Sequence, residues 1–277
     1  MVGARATRTV AGVTIPLRPG AGRAARPAPR PTGPDPLAPL LELPGVAEAA
    51  EDARAAVDRL LGHRVLRRES AGVSSESALR GARASAALEG VDVPLAELRA
   101  GEVTDPVVQG ALRVSVGLGA MVDTWDRAPG QVLARLHVLA AADLVGPDRL
   151  GRPAPDVGPR LGGLFSVITA TTTLPAVLIA AVVHGELAAM APFGTVDGVV
   201  ARAAGRLVGI SRGLDPKAVS VPEVGFAEFG VAAYDAALAG YRSGRPDGVA
   251  GWLVHCCRAT EHGALEGLAV CESLQRG

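Results

Sequence analysis

Apolar positions recur at helical spacing along most of the chain. From Val46 to Leu61, Ala-rich apolar positions alternate with Glu48, Glu51, Asp52, Arg54, Asp58 and Arg59, which predicts an amphipathic helix. Ser77 to Leu88 is a second helix, ended by Glu89-Gly90, and Gly90 suits a left-handed C-terminal cap. A short third runs over Pro94 to Ala100. Asp105-Pro106 pairs an N-capping carboxylate with Pro at the first helical position, opening a long helix to about Asp126. Gln131 to Leu144 follows, then a Gly/Pro-rich loop from Gly146 to Pro159. Leu161 to Ala170, Pro175 to Met190, Gly198 to Ile210, Pro222 to Leu238 and Asp247 to Leu274 complete the series. Alternation of period two is not sustained, so the expected fold class is all-α, with the most apolar helix, Pro175 to Met190, at its centre.

Residues 1 to 33 read differently. They are rich in Pro, Arg and Gly with little periodicity and are expected to be mostly disordered, apart from local extension over Val10 to Leu17. Gly20-Ala-Gly22-Arg-Ala-Ala25 partly matches a dinucleotide-binding fingerprint. Pro27, Pro29 and Pro31 forbid the helix that such a fingerprint needs, so no oxidoreductase reading rests on it. The expected organisation is therefore a tail, 1–33, and one helical domain, 34–277. The domain divides into N-terminal helices (34–100), a core (101–215) and C-terminal helices (216–277).

Composition changes this picture in a few places. Of 277 residues, 48% are hydrophobic but only 3% aromatic, so the core must be packed with Ala, Val and Leu. Lys plus Arg is 28 and Asp plus Glu is 28, a balance that offers no basic surplus for nucleic acid or an anionic membrane. Lys217 is the only lysine, as expected of a GC-rich bacterial coding sequence. Cys256, Cys257 and Cys271 cannot form a disulfide framework for a chain this long, which points to a reducing cytoplasm. Leu164 to Val183 is twenty residues without a charge, yet Thr169, Thr171, Thr172, Thr173 and Pro175 interrupt it. Two buried helices joined by a turn are expected there, not a membrane span.

The candidate chemistry lies after the central helix, where the chain reads His184-Gly-Glu-Leu-Ala-Ala-Met-Ala191-Pro192-Phe193-Gly-Thr195-Val196-Asp197-Gly198-Val199-Val-Ala-Arg202. This resembles the Fic (Fic/Doc, Fido domain) family, whose signature runs His-Pro-Phe-x-Asp/Glu-Gly-Asn-Gly-Arg-x-x-Arg between a central helix and the next. Pro192, Phe193, Gly198 and Arg202 are kept. Ser85-Ala-Ala-Leu-Glu89-Gly90 matches the family's inhibitory motif, Ser/Thr-x-x-x-Glu-Gly/Asn, at the expected place upstream. Gln131 to His137, followed by Gly151-Arg152, looks like the family's helix and loop before the core. His184 also sits where the family commonly has a histidine. The resemblance covers roughly residues 40 to 240 and implies a degenerate member of actinobacterial type.

What the resemblance implies is transfer of AMP from ATP to a protein hydroxyl, and the substitutions argue against it. The family's general base corresponds to Ala191, which has no proton acceptor, and general-base catalysis is worth about 10²–10⁴-fold. Its metal-binding acid corresponds to Thr195, a weaker ligand. Val196 replaces the first loop Gly, and Val199 removes the first Arg. Asp197 replaces Asn and sets a carboxylate where phosphate oxygens would lie. At about 4 Å two unit negative charges repel by roughly 4 kcal/mol at an effective dielectric near 20. The expectation is a pseudoenzyme with no catalytic residue, no metal and no cofactor. It would act by binding a protein partner or as a structural or regulatory element, with Glu89 and Arg202 paired as a staple. The alternative is a divergent nucleotidyl or phospho-ligand transferase that uses ATP and Mg through Thr195, Gly198 and Arg202.

Other constellations carry less. His255, Cys256, Cys257, His262 and Cys271 share the last helix but lack an i, i+4 ligand pair. His137 and His184 read as satisfied helix-face histidines. Ser166 and Ser211 lack a nucleophile elbow. Trp252, Tyr234, Tyr241, Phe226 and Phe229 are expected to anchor the C-terminal helices on the core.

Overall fold

The computed structural model describes residues 7–10, 13–16 and 35–276. Within the segment expected to be mostly disordered, Thr7–Val10 (β1) and Val13–Pro16 (β2) pair as an antiparallel hairpin, Thr7 opposite Pro16 and Val10 opposite Val13. The extension expected over Val10 to Leu17 coincides with β2. The Gly20 to Ala25 match lies outside the described residues.

From residue 35 onward the body is all-α. The first helix, α1 (Val46–Leu61), turns Val46, Ala50, Ala53, Ala56, Val57 and Leu60 inward. It leads to α2 (Ser70–Leu88), which begins seven residues before the expected start at Ser77. The stretch Ser70 to Glu76 has few apolar residues to betray a helix; packing of α2 on neighbouring helices carries it. Gly90 takes φ +90° just beyond the end of α2, the left-handed exit that a residue with a Cβ resists.

After α3 (Leu95–Ala100) comes α4 (Pro106–Gly117), where the Asp105 carboxylate accepts from the N–H groups of Val107 and Val108 at 2.8 and 3.2 Å, as the Asp-Pro pair predicts. The helix expected to reach Asp126 does not. Gly117-Leu-Gly119 loosens it into a 3₁₀ turn, Leu118–Met121, before a short α5 (Val122–Trp125). Then α6 (Pro129–Ala141) and α7 (Gly158–Thr169) bracket the Gly/Pro-rich loop.

The uncharged stretch Leu164 to Val183 is indeed two helices. The chain turns at Ala170 to Pro175 and enters α8 (Ala176–Met190). At the turn, Thr173 donates its N–H to the Asp35 carboxylate at 2.9 Å, so the threonines tie the start of the body to its centre. No helix among the described residues is long and apolar enough to cross a membrane.

Ten of the fifteen residues of α8 are buried, which makes it the core helix the sequence implies. Around it pack α9 (Asp197–Ser211), α11 (Val231–Arg242) and α12 (Pro246–Arg276). The expected single helix over Pro222 to Leu238 is instead two, α10 (Pro222–Phe229) and α11. Gly230 at φ +88° and ψ 152° breaks it in a region open essentially to Gly.

Small residues set how close the helices lie. Gly110 meets the Ala140 backbone across α4 and α6, and Gly225 meets Ala259 across α10 and α12, with no space for a Cβ at either. Few large side chains are needed where backbones approach this closely. Those that exist cluster: Trp252, Tyr234 and Phe226 surround His184 at the α8–α12 interface, as the anchoring expectation holds. Phe229 stands apart, over His255 and His262.

Candidate functional site

The loop between α8 and α9 is built on an unusual backbone. Ala191 ends α8 in the left-handed conformation at φ +46°, and its N–H still reaches the Leu187 carbonyl at 2.9 Å. Gly194 follows at φ +69°, and Val196 caps α9 at φ +49° and ψ +31°. A β-branched residue in this region is strained by about 1–2 kcal/mol. Ala154 donates its N–H to the Pro192 carbonyl at 2.8 Å and so pins the preceding Gly/Pro-rich loop alongside.

The loop curls because its own carboxylate holds it. Asp197 accepts from the Phe193 N–H at 2.9 Å, and the amides of Gly194 and Thr195 also point to it. Burial pushes its pKa above the usual carboxylate value, the three amides pull the other way, and the nearby Glu89 charge adds to the rise. A backbone nest able to cradle an anion therefore already contains one.

Phe193 is fixed from below by His137. The rings stack at 4.2 Å and 5°. His137 Nδ1 accepts from the Gly151 N–H at 2.9 Å, so in the neutral ring the proton sits on Nε2. Burial and the nearby Arg149 charge lower the pKa of His137 and keep it neutral. The sequence places His137 on a helix before the core but does not reveal this stack.

Glu89 and Arg202 meet. Arg202, on the first turns of α9, donates Nη2–H to Glu89 Oε1 at 2.7 Å and to the Ser85 carbonyl at 2.9 Å, and Nε–H to Ser85 Oγ at 2.9 Å. Its side chain is 1% exposed and that of Glu89 23%. Burial disfavours the Arg202 charge, but Tyr234 and Glu89 outweigh it and hold its pKa above the ordinary value. Tyr234 lies under the guanidinium at 5.9 Å, a contact with no signal in the sequence. The same carboxylate crosses directly over Gly198, where any Cβ would run into it. Gly198 thus leaves the room that the Glu89 carboxylate occupies in this pairing.

The remaining positions follow from these. Ala191 is exposed and presents only a methyl group. Thr195 is neutral and half-buried. Val199 is 2% exposed and belongs to the apolar core. Seven residues N-terminal to Ala191 along α8, about 10 Å at 1.5 Å per residue, His184 bonds Tyr234 Oη at 2.7 Å among aromatic rings. Burial depresses its pKa well below the ordinary value, and it does not reach the loop as a substitute base.

The groups on the last helix do not converge. His262 pairs with Glu228 at 3.0 Å, His255 lies among aromatic rings, and the three cysteines are buried. No group of three or more His, Cys, Asp or Glu able to hold a metal occurs among the described residues. For a metal on bound phosphates the loop residues do not fit either, since Thr195 is neutral and the Asp197 carboxylate is engaged by amides.

Comparison with solved structures gives the class. Fic-1 from C. elegans superposes with a TM-score of 0.66 at 17% identity, covering 85% of this chain and 75% of its own. A Fic family protein from Desulfovibrio desulfuricans G20 gives 0.66 at 17% identity, covering 82% and 74%. The chain therefore has the Fic fold. No family model and no curated protein matches it.

Proposed function

We propose that this is a Fic-fold pseudoenzyme that does not transfer AMP and works through a protein partner or as a structural and regulatory element. One observation carries the reading: the Phe193 amide, in the loop where a phosphate would be cradled, donates to the chain's own Asp197 at 2.9 Å, with the amides of Gly194 and Thr195 close enough to the same carboxylate to favour its charge. The base position at Ala191 offers no proton acceptor beside it, so neither ligand nor proton transfer is provided for. In this reading Ser85, Glu89 and Gly90 form a staple of α2 on α9. The protein is bacterial, of actinobacterial type, and cytoplasmic, with no cofactor and no nucleic-acid or membrane partner.

The test is incubation of the chain with labelled ATP and Mg²⁺, alone and as Glu89→Gly, with a panel of candidate protein acceptors. No label on either form is expected. Label transferred by the Glu89→Gly form would overturn the proposal in favour of a divergent transferase. That second reading draws on Gly198 and Arg202, which keep the family's identities, and on the exposed Arg149, whose Nη2 lies near Gly194. Thermal shifts with ATP, ADP, GTP and CDP separate the two. Silence across the panel supports the pseudoenzyme; a shift lost in Arg202→Ala supports the transferase.

A further inference from the structure

The hairpin of β1 and β2 is two strands of four residues each, too small to enclose a core. Its register places Arg8 opposite Ile15 and Val10 opposite Val13. Residues of a strand alternate between its two faces, so Arg8, Val10, Val13 and Ile15 share one face, and Thr7, Thr9, Thr14 and Pro16 share the other. A two-stranded hairpin is marginally stable at best in water and gains stability by laying its apolar face on something else. Charge narrows what that can be, because residues 1–34 carry six arginines and no acid.

The body offers such a surface where the chain enters it. Between α1 and the start of α8 runs a groove of about 660 Å³, open to solvent. Ala47, Ala50 and Ala55 line one side, and Pro175, Ala176 and Leu214 the other. Its α1 edge is acidic: Asp58 engages Arg54 at 2.8 Å, while Glu51 is exposed with no ion-pair or hydrogen-bond partner among the described residues. Thr173, whose N–H holds the Asp35 carboxylate at 2.9 Å, lines the same groove, so the chain joins the body at the groove's lip. Lengths agree as well, since a four-residue strand spans about 13 Å and α1 from Ala47 to Asp58 about 16 Å. Other grooves suit a basic segment less. Two are edged by arginines, Arg160 and Arg242 in one and Arg258 in the other, and in a third Arg80 and Arg83 already hold Glu266 and Asp92. We propose that the hairpin, residues 7–16, docks in the groove between α1 and α8, its Val10, Val13 and Ile15 face on the alanines and Arg8 beside Glu51. The connecting residues 17–34 can span about 60 Å, so reach is no obstacle, and tethering supplies an effective concentration of about millimolar that makes a weak fit sufficient. A protein partner using this groove has to displace the hairpin first.

A nitroxide on Ala55→Cys tests this in the full chain, because Ala55 is exposed and the three native cysteines are buried. The amide resonances of Val10, Val13 and Ile15 should lose most of their intensity, to the same degree at low and high protein concentration. A mixture of nitroxide-bearing chains with isotope-labelled chains that lack the nitroxide should show no loss. Glu51→Arg should restore intensity, and adding Arg8→Glu should bring the loss back; Glu51 is exposed, so neither change threatens the fold. Full intensity in the singly substituted chain would overturn the proposal and leave the groove to a separate partner. Loss in the mixture would overturn it in favour of a second copy of the chain. Loss unaffected by Glu51→Arg would overturn the placement of Arg8 beside Glu51.

Discussion

A phosphate arriving at the loop meets a competitor on the same chain, because Asp197 reaches the Phe193 N–H at 2.9 Å and cannot diffuse away. Its carboxylate and that of Glu89 together would face any added anion. Removing both charges is therefore expected to expose the nest. The Asp197→Asn/Glu89→Gly variant should show an ATP-dependent rise in Tm where the parent shows none. It should still fail to transfer label, since Ala191 is unchanged. Absence of any shift in a folded double variant would mean that the amides no longer form a usable cradle. Val196 makes a separate case. Its φ of +49° costs about 1–2 kcal/mol, whereas Gly adds unfolded-state entropy of about 0.4–1 kcal/mol. Val196→Gly should be neutral or up to about 1 kcal/mol stabilising in urea melts. Val200→Gly, at a buried position inside α9, should cost more than about 2 kcal/mol.

Between elements, the C-terminal end of α2 is held to α9 mainly through Arg202, whose guanidinium has Glu89 and Ser85 as partners and Tyr234 beneath. Glu89→Ala leaves that charge with Ser85 and Tyr234 only. A charged hydrogen bond of this kind is worth about 1.5–3 kcal/mol, and the partial exposure of Glu89 places the loss within that range and short of a fully buried pair. Urea melts should show it, and adding Arg202→Met should recover part. A Glu89→Ala protein as stable as the parent would reduce the staple to a surface contact. This pairing was legible because Glu89 and Arg202 keep recognisable motif neighbours on either side. The break at Gly230 was not, because the apolar pattern of Pro222 to Leu238 runs through it and only the backbone shows a φ of +88°. The start of α2 was hidden for the opposite reason: its helical state comes from packing, not from pattern. Nor does spacing along the chain predict Asp197 folding back on Phe193, since the turn depends on two left-handed non-glycine residues, Ala191 and Val196.

For the molecule as a whole, equal numbers of acids and bases leave the response to pH to groups whose surroundings differ most from water. Three of the five histidines, His137, His184 and His255, are held below their ordinary pKa, chiefly by burial, and so remain neutral in the folded state. In the unfolded chain they protonate near pH 6.5. Below that pH the unfolded state binds more protons, so stability is full above about pH 6.5 and falls as the solution becomes more acidic. Each such histidine contributes a slope of up to about 1.4 kcal/mol per pH unit until its own folded pKa is reached. Asp197 acts in the opposite sense lower down. Its raised pKa means that the folded state takes up a proton before the unfolded one does, so protonation there regains a little stability as pH falls toward the carboxylate range. The two effects occupy different windows, and the histidine effect comes first on acidification. Thermal melts from about pH 7.5 to about pH 5 should show Tm falling steadily below pH 6.5. His184→Asn should flatten the curve most, because His184 is the most deeply buried of the three and the nearby Arg202 and His255 also disfavour its charge. A Tm independent of pH across this range would mean that these rings reach water, which would contradict the packing of α8 against α12.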